Sequence, residues 1–394
     1  MDRIEGKVRV AVVHDWLYTY GGAERVLRSM LRVFPSADLF TLFDVMSPQD
    51  RERVGFSRAT TSFLQRAPRI RTKHRSYLAL MPLAIEQLDL SAYDLILSSS
   101  YAVAKGVLTG PDQLHLSYVH SPMRYAWDLQ HRYLAEAGLT RGVKSALARI
   151  VLHRMRLWDS RTAHGVDAYA ANSHFIARRI RKVYGREADV LYPPVVVPAS
   201  VPQVKKGRTF LTASRLVPYK NVRAVVEAFR LLPDERLIVV GTGPEGERIR
   251  RAAGPNIEFR GFVADAELRE LMDKAAAFVF AAEEDFGIVM VEAQGRGTPL
   301  IALGRGGARE IVVPDGPAPT GLFFDTPTPE AIASAVRCFL DRPVSFRPED
   351  CHANALRFSE ARFEQALRSF VDHHWVRHRD RLRAGLSTPL AVAA

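Results

Sequence analysis

The chain has 394 residues, of which 47% are hydrophobic and 25% are charged, and its formal net charge is +12. This composition excludes a disordered chain, and the length predicts two domains of about 200 residues each. The two cysteines are too few for a disulfide framework. The sequence opens on a strand-like segment without a secretory signal pattern, and no apolar run approaches about 18 residues. We therefore expect a cytoplasmic protein without a membrane span.

The positive charge is unevenly distributed along the chain. Residues 1–200 contain 28 Lys and Arg against 18 Asp and Glu, whereas residues 201–394 contain 27 against 25. A basic first half indicates an anionic partner, which can be a nucleic acid, a phosphate-rich ligand or a membrane surface.

Apolar runs typical of buried strands alternate with helical periods in chain order. The predicted strands lie at 8–14, 93–100, 115–121, 167–173, 209–214, 236–243, 276–282, 299–304 and 321–325, and helical periods include 23–34, 174–185 and 222–232. Near-continuous Val, Ile and Leu strands alternating with helices indicate parallel sheets covered on both faces. We predict an α/β fold with two doubly wound, Rossmann-like domains.

The proline-rich segment 191–207, "LYPPVVVPASVPQVKKG", separates the two series of strands. We place the first domain at 1–198, a linker at 199–207 and the second domain at 208–370. Residues 371–394 form a C-terminal helix and tail that we expect to pack back on the first domain. Ligands of open α/β sheets bind at the carboxyl ends of the strands, so the predicted site is a cleft between two such domains.

Two motifs place phosphate-binding groups at strand-to-helix junctions. Gly21 and Gly22 precede the first helix, where glycine lets backbone N–H groups approach a phosphate closely. Arg215 and Lys220 flank the start of a helix in "ASRLVPYKNV", where cation and helix dipole together favour a diphosphate. The alternatives are a flexible turn and two solvated cations.

His120 follows the predicted strand at 115–121 and is either a ligand-facing or a structural histidine. The run "VVGTGPEGERI" (239–249) matches G-x-G-x-x-G, which opens the alternative of an NAD-dependent oxidoreductase. Pro244 lies within that turn, and the motif does not follow the first strand of its domain, which argues against a dinucleotide site. No C-x-x-C, H-E-x-x-H or Asp-x-Asp pattern occurs, so we expect neither a metal nor a cofactor.

The run "AAEEDFGIVMVEAQGRGTP" (281–299) places Glu284 and Glu292 around a mostly apolar segment. Two readings stay open from the residues alone. The glutamates are surface residues at the ends of a core helix, or they belong to a site for a sugar nucleotide. The apolar segment itself is compatible with a strand as well as with a helix.

Seven motifs in a fixed order carry a resemblance to a family. They are "GGAERVL", "YVHSPMRYAWD", "ANSHFIARRI", "ASRLVPYKN", "GTGPE", "GFV" and "EEDFGIVMVEAQGRGTPLIALGRGGARE". From about residue 8 to about residue 370 the chain resembles family-4 retaining glycosyltransferases of GT-B fold. Its N-terminal half is most similar to bacterial mannosyltransferases that use GDP-mannose in exopolysaccharide or O-antigen synthesis.

The resemblance implies a role for each matching residue. Arg215 and Lys220 bind the donor diphosphate, and Gly21 and Gly22 lie against the phosphates and the transferred sugar. Other implied donor contacts are Glu284 beside the sugar, the amides of Phe286, Gly287 and Ile288, Glu292 on the ribose, and His120 near the reacting carbon. Arg124 and Asn172 are lesser members of the same cleft. Glu283 competes with Glu284 for its role, and Arg296 departs from the family pattern, as a surface residue or as a modifier of the base pocket.

The resemblance also implies the reaction. It is a retaining, metal-independent transfer of mannose from GDP-mannose to a polyprenyl-diphosphate-linked oligosaccharide, with a UDP-sugar or a soluble acceptor as the alternative. The basic segments 65–85 and 141–161 combine cations with apolar residues at helical spacing. They suit peripheral contact with anionic lipid at the inner face of the cell membrane, or they are solvated helix faces. No nucleic-acid recognition module is visible, so we do not expect nucleic acid as a partner.

Overall fold

The computed structural model describes residues 8–341 and 346–387, which fall into two compact units. The first unit comprises the chain up to Pro193 together with the segment from Phe363 onward, and the second comprises Pro194–Arg362. The sequence analysis places these boundaries at residues 198 and 371. The predicted first domain and the predicted tail extend into residues 1–7 and 388–394, which lie outside the described residues.

The first unit contains a seven-stranded parallel sheet in the order β3-β2-β1-β4-β5-β6-β7. Its strands are β1 (Val10–His14), β2 (Asp38–Thr41), β3 (Thr60–Thr61), β4 (Leu95–Ser100), β5 (Leu114–Val119), β6 (Ala168–Ala171) and β7 (Ala188–Val190). Its helices are α1 (Gly22–Val33), α2 (Pro48–Val54), α3 (Ile70–Lys73), α4 (Met81–Glu86), α5 (Gln130–Glu136), α6 (Val143–Thr162), α7 (His174–Tyr184) and α15 (Glu360–Ser387). Short 3-10 turns lie at Phe63–Arg66, His74–Leu80, Ala104–Gly106 and Ala163–Gly165.

Both faces of the first sheet are covered by a hydrophobic core. Successive side chains of a strand point to opposite faces, so Val10 and Val12 join one core cluster while Ala11 and Val13 join another. This is why β1 is apolar without alternation. The first of these clusters also contains residues of the C-terminal helix α15, namely Phe363, Leu367, Phe370, Val371 and Trp375. The last helix of the chain is therefore part of the first unit's core.

The second unit contains a six-stranded parallel sheet in the order β10-β9-β8-β11-β12-β13. Its strands are β8 (Thr209–Ala213), β9 (Arg236–Val240), β10 (Ile257–Gly261), β11 (Phe278–Phe280), β12 (Leu300–Leu303) and β13 (Gly321–Phe324). Its helices are α8 (Val222–Arg230), α9 (Gly246–Arg251), α10 (Asp265–Lys274), α11 (Ile288–Gly295), α12 (Ala308–Ile311), α13 (Pro329–Asp341) and α14 (Pro348–Ala355), with 3-10 turns at Pro218–Lys220 and Leu356–Phe358.

The strand order of each sheet reverses once. In the first sheet the chain moves outward from β1 through β2 and β3, and then returns to place β4 on the other side of β1. In the second sheet the same reversal lies between β8 and β11. Such a switch point leaves a crevice at the carboxyl ends of the two strands, which is where ligands of doubly wound sheets bind. The predicted α/β fold with two doubly wound parallel-sheet domains is confirmed.

The structure corrects one helical prediction and adds four strands. The segment 65–85 is not a continuous helix but a series of short helical turns, because Pro68 and Pro82 interrupt the backbone hydrogen bonding. The strands β2, β3, β7 and β10 have two to five residues each and are absent from the predicted set. In the part of the chain that the structure describes, no helix combines the length and apolarity needed to cross a membrane.

Candidate active site

An ion pair lies at the switch point of the second sheet. Lys220 ends the 3-10 turn that follows β8, and its Nζ contacts the carboxylate of Glu284, which follows β11. Both side chains are largely buried. The ammonium group also lies 5.5 Å from the centre of the Phe280 ring, a cation–π distance. A cation and a carboxylate from two different loops are thus fixed beside each other where the strand order reverses.

Asn221 links the same two loops through its side chain. Its amide Nδ2 donates to the carbonyl of Ala281 at 2.9 Å, and its backbone is left-handed, with φ of 53°. Asparagine tolerates this conformation better than most residues, and α8 begins immediately afterwards. The sequence analysis did not single out Asn221, although an asparagine directly before a helix was an available signal.

Arg215 is exposed in the loop that leaves β8, and a neighbouring glycine loop supports the backbone there. The N–H of Leu216 donates to the carbonyl of Thr242 at 2.9 Å, and the N–H of Glu245 donates to the carbonyl of Leu216 at 3.0 Å. A Cβ at Gly243 would overlap the backbone of Leu216. The glycine motif at 239–249 therefore has a packing role in holding the loop that carries Arg215.

The two adjacent glutamates of the acidic motif differ in their surroundings. Glu283 is exposed, whereas Glu284 is half-buried and paired with Lys220. Gly287 adopts φ of 100° and turns the chain into α11, so the ambiguous apolar segment is a helix. Ile288 and Glu292 are both half-buried and lie one turn apart on the same face of α11.

The opposite side of α11 is seated in the core. Met290 and Val291 are fully buried, and Gln294 forms buried hydrogen bonds to the Oγ1 of Thr320 (2.9 Å) and from the Nδ2 of Asn354 (2.6 Å). The apolar run between the two glutamates therefore anchors a helix whose N-terminus and one face are left accessible.

A close backbone contact positions the residues just before α11. The N–H of Gly307, in the loop after β12, donates to the carbonyl of Glu284 at 2.8 Å. A Cβ at Gly307 would overlap the backbone of Phe286, and Gly306 adopts φ of 60° beside Glu284. Glycine is thus required at positions 306 and 307, because the loop after β12 lies so close to the residues before α11 that a Cβ would have no space. Phe286 itself is buried, with its ring 5.4 Å from the ring of Phe358.

Arg296, at the C-terminal end of α11, forms an ion pair with Asp273 on α10. Its guanidinium donates to both carboxylate oxygens of Asp273 on α10, at 2.5 and 2.6 Å, and to the carbonyl of Arg269 at 3.1 Å. Through this bidentate interaction the guanidinium holds the end of α11 against α10. Arg296 therefore has a structural role, which differs from both interpretations of the sequence analysis, a surface residue and a modifier of the base pocket.

At the carboxyl edge of the first sheet, the N-terminus of α1 is capped by its own glutamate. Gly21 is the N-cap, and its N–H donates to Oε2 of Glu24 at 2.9 Å, while Gly22 is exposed. The other carboxylate oxygen of Glu24 lies 3.6 Å from Nε2 of His14, the last residue of β1. The amide of Gly21, which the resemblance directs towards phosphate, therefore already has an acceptor.

His120 follows β5 at the same edge and is linked to the ends of β1 and β4. Its Nε2 lies 2.9 Å from Oγ of Ser99, which in turn lies 3.1 Å from Nδ1 of His14. Asn172 donates from Nδ2 to the carbonyl of His120 at 2.9 Å. Burial lowers the pKa of His120 to about 3, so the ring is neutral near pH 7.

The segment after His120 is held by a buried network that the sequence analysis missed. Arg124 is half-buried in this segment, and its carbonyl accepts the N–H of Leu129 at 3.0 Å. The indole of Trp127 donates to Asp159 on α6 at 2.7 Å, and Asp159 also pairs with the fully buried Lys105 at 2.8 Å. Removing Lys105 or Asp159 would leave the other charge buried and unpaired, which is costly. Because Asp159 also accepts from Trp127, this ion pair holds the segment after His120 against α6.

The predicted residues thus form two clusters, one at the switch point of each sheet. Arg215, Lys220, Glu284 and the start of α11 belong to the second unit, and Gly21, His120 and Asn172 belong to the first. Among the described residues, no group of three or more His, Cys, Asp and Glu side chains is arranged to hold a metal ion.

Comparison with protein families relates the second unit to a known family. Residues 198–357 match the family described as Glycosyl transferases group 1. The matched segment lies within the second unit. The GDP-mannose-dependent alpha-(1-6)-phosphatidylinositol monomannoside mannosyltransferase of Mycobacterium tuberculosis H37Rv is 30% identical over 223 residues, covering 48% of this chain and 55% of that protein. The chain spans about half the length of the curated relatives it matches.

Solved structures share the fold of nearly the whole chain. Anabaena Alr3699/HepE in complex with UDP matches with a TM-score of 0.65 at 18% identity, covering 93% of this chain and 100% of that one. Sucrose-phosphate synthase of Thermosynechococcus elongatus matches with a TM-score of 0.69 at 16% identity, covering 93% and 99%. At these identities the likeness establishes the fold, and it confirms the predicted GT-B class.

Substitution of Gly307 tests the contact between the loop after β12 and the start of α11. Gly307→Ala should lower the free energy of unfolding by about 1–3 kcal/mol, because the new methyl group has no space beside Phe286. Denaturant unfolding followed by far-ultraviolet circular dichroism measures this change. Gly165→Ala is the control, since a Cβ there meets nothing within 4 Å. Equal midpoints for Gly307→Ala and the unsubstituted protein would contradict the close approach.

Proposed function

We propose that the protein is a retaining glycosyltransferase that moves a sugar from a nucleotide diphosphate donor to a hydroxyl acceptor. The observation that carries this proposal is the Lys220–Glu284 pair, held at the switch point of the unit that matches the group 1 glycosyl transferases, with Arg215 in the loop that carries Lys220. Lys220 and Arg215 supply two cations where a diphosphate would bind. The N-terminus of α11 supplies N–H groups that lack partners within the helix.

The chemistry needs stabilisation of the leaving group. As the bond between the anomeric carbon and the diphosphate oxygen breaks, negative charge grows on the diphosphate and the sugar becomes oxocarbenium-like. Fixed cations and helix dipoles stabilise that charge without reorganisation. The roles that we propose for Arg215, Lys220 and the amides of Phe286, Gly287 and Ile288 all follow from this requirement.

We propose that the acceptor hydroxyl attacks on the face from which the diphosphate leaves. The new bond joins the acceptor oxygen to the anomeric carbon, and the hydroxyl proton passes to the departing diphosphate. Glu284 then orients the sugar and does not act as a nucleophile, a role supported by its ion pair with Lys220. Glu292, on the same face of α11 as Ile288, is the proposed ligand of the ribose hydroxyls.

GDP-mannose is the proposed donor. The support is sequence similarity to relatives whose names specify GDP-mannose, at 29–30% identity. The structural neighbour that binds UDP shares only the fold with this chain, at 18% identity. A UDP-sugar is therefore the second candidate donor.

We propose a lipid-linked oligosaccharide as acceptor and peripheral contact with an anionic membrane. Support comes from the outward face of α6, which runs at spacings of three and four through Val143, Leu147, Ile150, Arg154, Leu157 and Arg161. Its four apolar side chains are 52% to 77% exposed, and both arginines are exposed. Exposed apolar residues interleaved with cations are the pattern of a helix that lies on an anionic interface.

Nucleotide binding tests the proposed donor site. We expect GDP to raise the melting temperature of the purified protein more than UDP, ADP or NAD, because a ligand at about 100 times its Kd contributes about 2.7 kcal/mol. Arg215→Ala should abolish most of this increase. Arg208→Ala is the matched control, since Arg208 directly precedes β8, at the opposite end of the strand that leads to Arg215.

Each other pattern of stabilisation has a definite meaning. A larger increase with UDP would replace the GDP-sugar with a UDP-sugar and leave the reaction type in place. Stabilisation by NAD alone, retained in Arg215→Ala, would contradict the transferase and favour an oxidoreductase.

Vesicle flotation tests the proposed membrane contact. The double variant Leu147→Glu, Ile150→Glu should bind vesicles of phosphatidylglycerol about 100-fold more weakly, because it removes two apolar side chains from the interface and adds two negative charges. Leu231→Glu, at an exposed leucine of the second unit, should bind as the unsubstituted protein does. If both variants float equally well with the vesicles, α6 is a solvated face.

A further inference from the structure

Three polar side chains form a continuous hydrogen-bonded chain beneath the carboxyl edge of the first sheet. It runs from Nε2 of His120 to Oγ of Ser99 (2.9 Å) and from that oxygen to Nδ1 of His14 (3.1 Å). His14 and Ser99 are fully buried. The members come from the ends of β5, β4 and β1, so the parallel sheet itself aligns them.

A negative charge lies at the inner end of this chain. Nε2 of His14 is buried without a hydrogen-bond partner among the described residues, and Oε1 of Glu24 lies 3.6 Å away. At that distance the contact is electrostatic rather than a hydrogen bond. Oε2 of Glu24 accepts the N–H of Gly21 at 2.9 Å, which fixes the orientation of the carboxylate. The carboxylate favours a proton on the His14 nitrogen that faces it.

The direction of every hydrogen bond in the chain follows from that proton. When His14 carries a single proton, on Nε2, its Nδ1 is an acceptor, so the hydroxyl of Ser99 donates to it. The oxygen of Ser99 then accepts from His120, whose proton must lie on Nε2. Nδ1 of His120 is left with a lone pair, and among the described residues it has no hydrogen-bond partner.

We propose that Glu24, through His14 and Ser99, sets the tautomer of His120, so that Nε2 carries the proton and Nδ1 is a hydrogen-bond acceptor. Glu24, His14 and Ser99 are thus positioning residues. If the proposed function holds, His120 accepts a hydrogen bond from a hydroxyl group of the bound sugar and does not donate one. The ring stays neutral near pH 7, as its lowered pKa requires, so its tautomer and not its charge is what the chain controls.

The variant Glu24→Gln should reverse the whole chain. Its amide oxygen is needed to accept the N–H of Gly21, which directs the NH₂ group towards Nε2 of His14. A donor at that place favours the proton of His14 on Nδ1, which then donates to Ser99. The hydroxyl of Ser99 turns to Nε2 of His120, and His120 takes its proton on Nδ1. The cap of α1 is preserved, so the variant should fold normally.

Long-range ¹H–¹⁵N spectra of uniformly ¹⁵N-labelled protein measure the tautomers directly, because protonated and unprotonated imidazole nitrogens have separate ¹⁵N shifts. Spectra of His14→Gln and His120→Gln provide the assignment. We expect His120 protonated on Nε2, with the ratio of the two tautomers changing at least about tenfold in Glu24→Gln. Glu52→Gln, the same change at an exposed position on α2, should leave the spectrum of His120 unchanged.

Coupling through Ser99 completes the test. In a Ser99→Ala background the chain is broken, so adding Glu24→Gln should no longer change the tautomer of His120. The proposal is overturned if His120 carries its proton on Nδ1 in the unsubstituted protein. It is equally overturned if Glu24→Gln leaves His120 unchanged, or changes it as much without Ser99 as with it.

The experiment separates this inference from the proposed function, because the spectra need no substrate. Should the sugar be bound as proposed, kcat/KM for the nucleotide sugar falls about tenfold in Glu24→Gln and stays unchanged in Glu52→Gln. A reversed tautomer with unchanged kcat/KM would leave the chain in place and contradict the sugar contact assigned to His120.

Discussion

In a doubly wound sheet, two neighbouring strands whose connections run in opposite directions leave a crevice above their carboxyl ends. The pair β8 and β11 forms such a point, and the loops that follow these strands carry Lys220 and Glu284. Asn221 ties one loop to the other, and the glycines after β12 let a third loop approach. The site is therefore a consequence of strand order first and of individual side chains second.

The first sheet has the same kind of switch point, but different side chains lie there. Its switch point brings together the ends of β1 and β4, and β5 adds His120 beside them. Here Glu24 caps a helix and contacts a histidine, and His14, Ser99 and His120 hydrogen-bond to one another. The cations of the candidate donor site lie in the second unit. In the proposed reaction, the second unit's cluster stabilises charge and the first unit's cluster recognises a hydroxyl group.

Much of the fold was predictable from the sequence, because the central strands are buried on both faces and read as continuous apolar runs. The strands β3, β7 and β10 were not, since they lie at the edges of the sheets and are partly exposed, and β2 begins at the exposed Asp38. In segment 65–85 the apolar spacing indicated a helix, but Pro68 and Pro82 prevented a continuous one. Local signals failed where backbone constraints outweighed side-chain patterns.

The candidate site was predictable to the extent that its residues share a motif. Motif spacing favoured Glu284 over Glu283, and in the structure Glu284 is the one beside Lys220. Pairing across the fold was not predictable. The partner of Arg296, Asp273, lies on another helix, and the chain from Glu24 to His120 joins four elements. Only the packed structure shows that these groups meet.

The most direct measurement is glycosyl transfer itself. The purified protein is incubated with GDP-[¹⁴C]mannose and a bacterial lipid extract, and labelled lipid and released GDP are quantified together with the anomeric configuration of the product. The account predicts a mannosylated lipid with the donor's configuration retained, one GDP released per sugar, and loss of both in Lys220→Met. Turnover of neither GDP-mannose nor any UDP-sugar would contradict it.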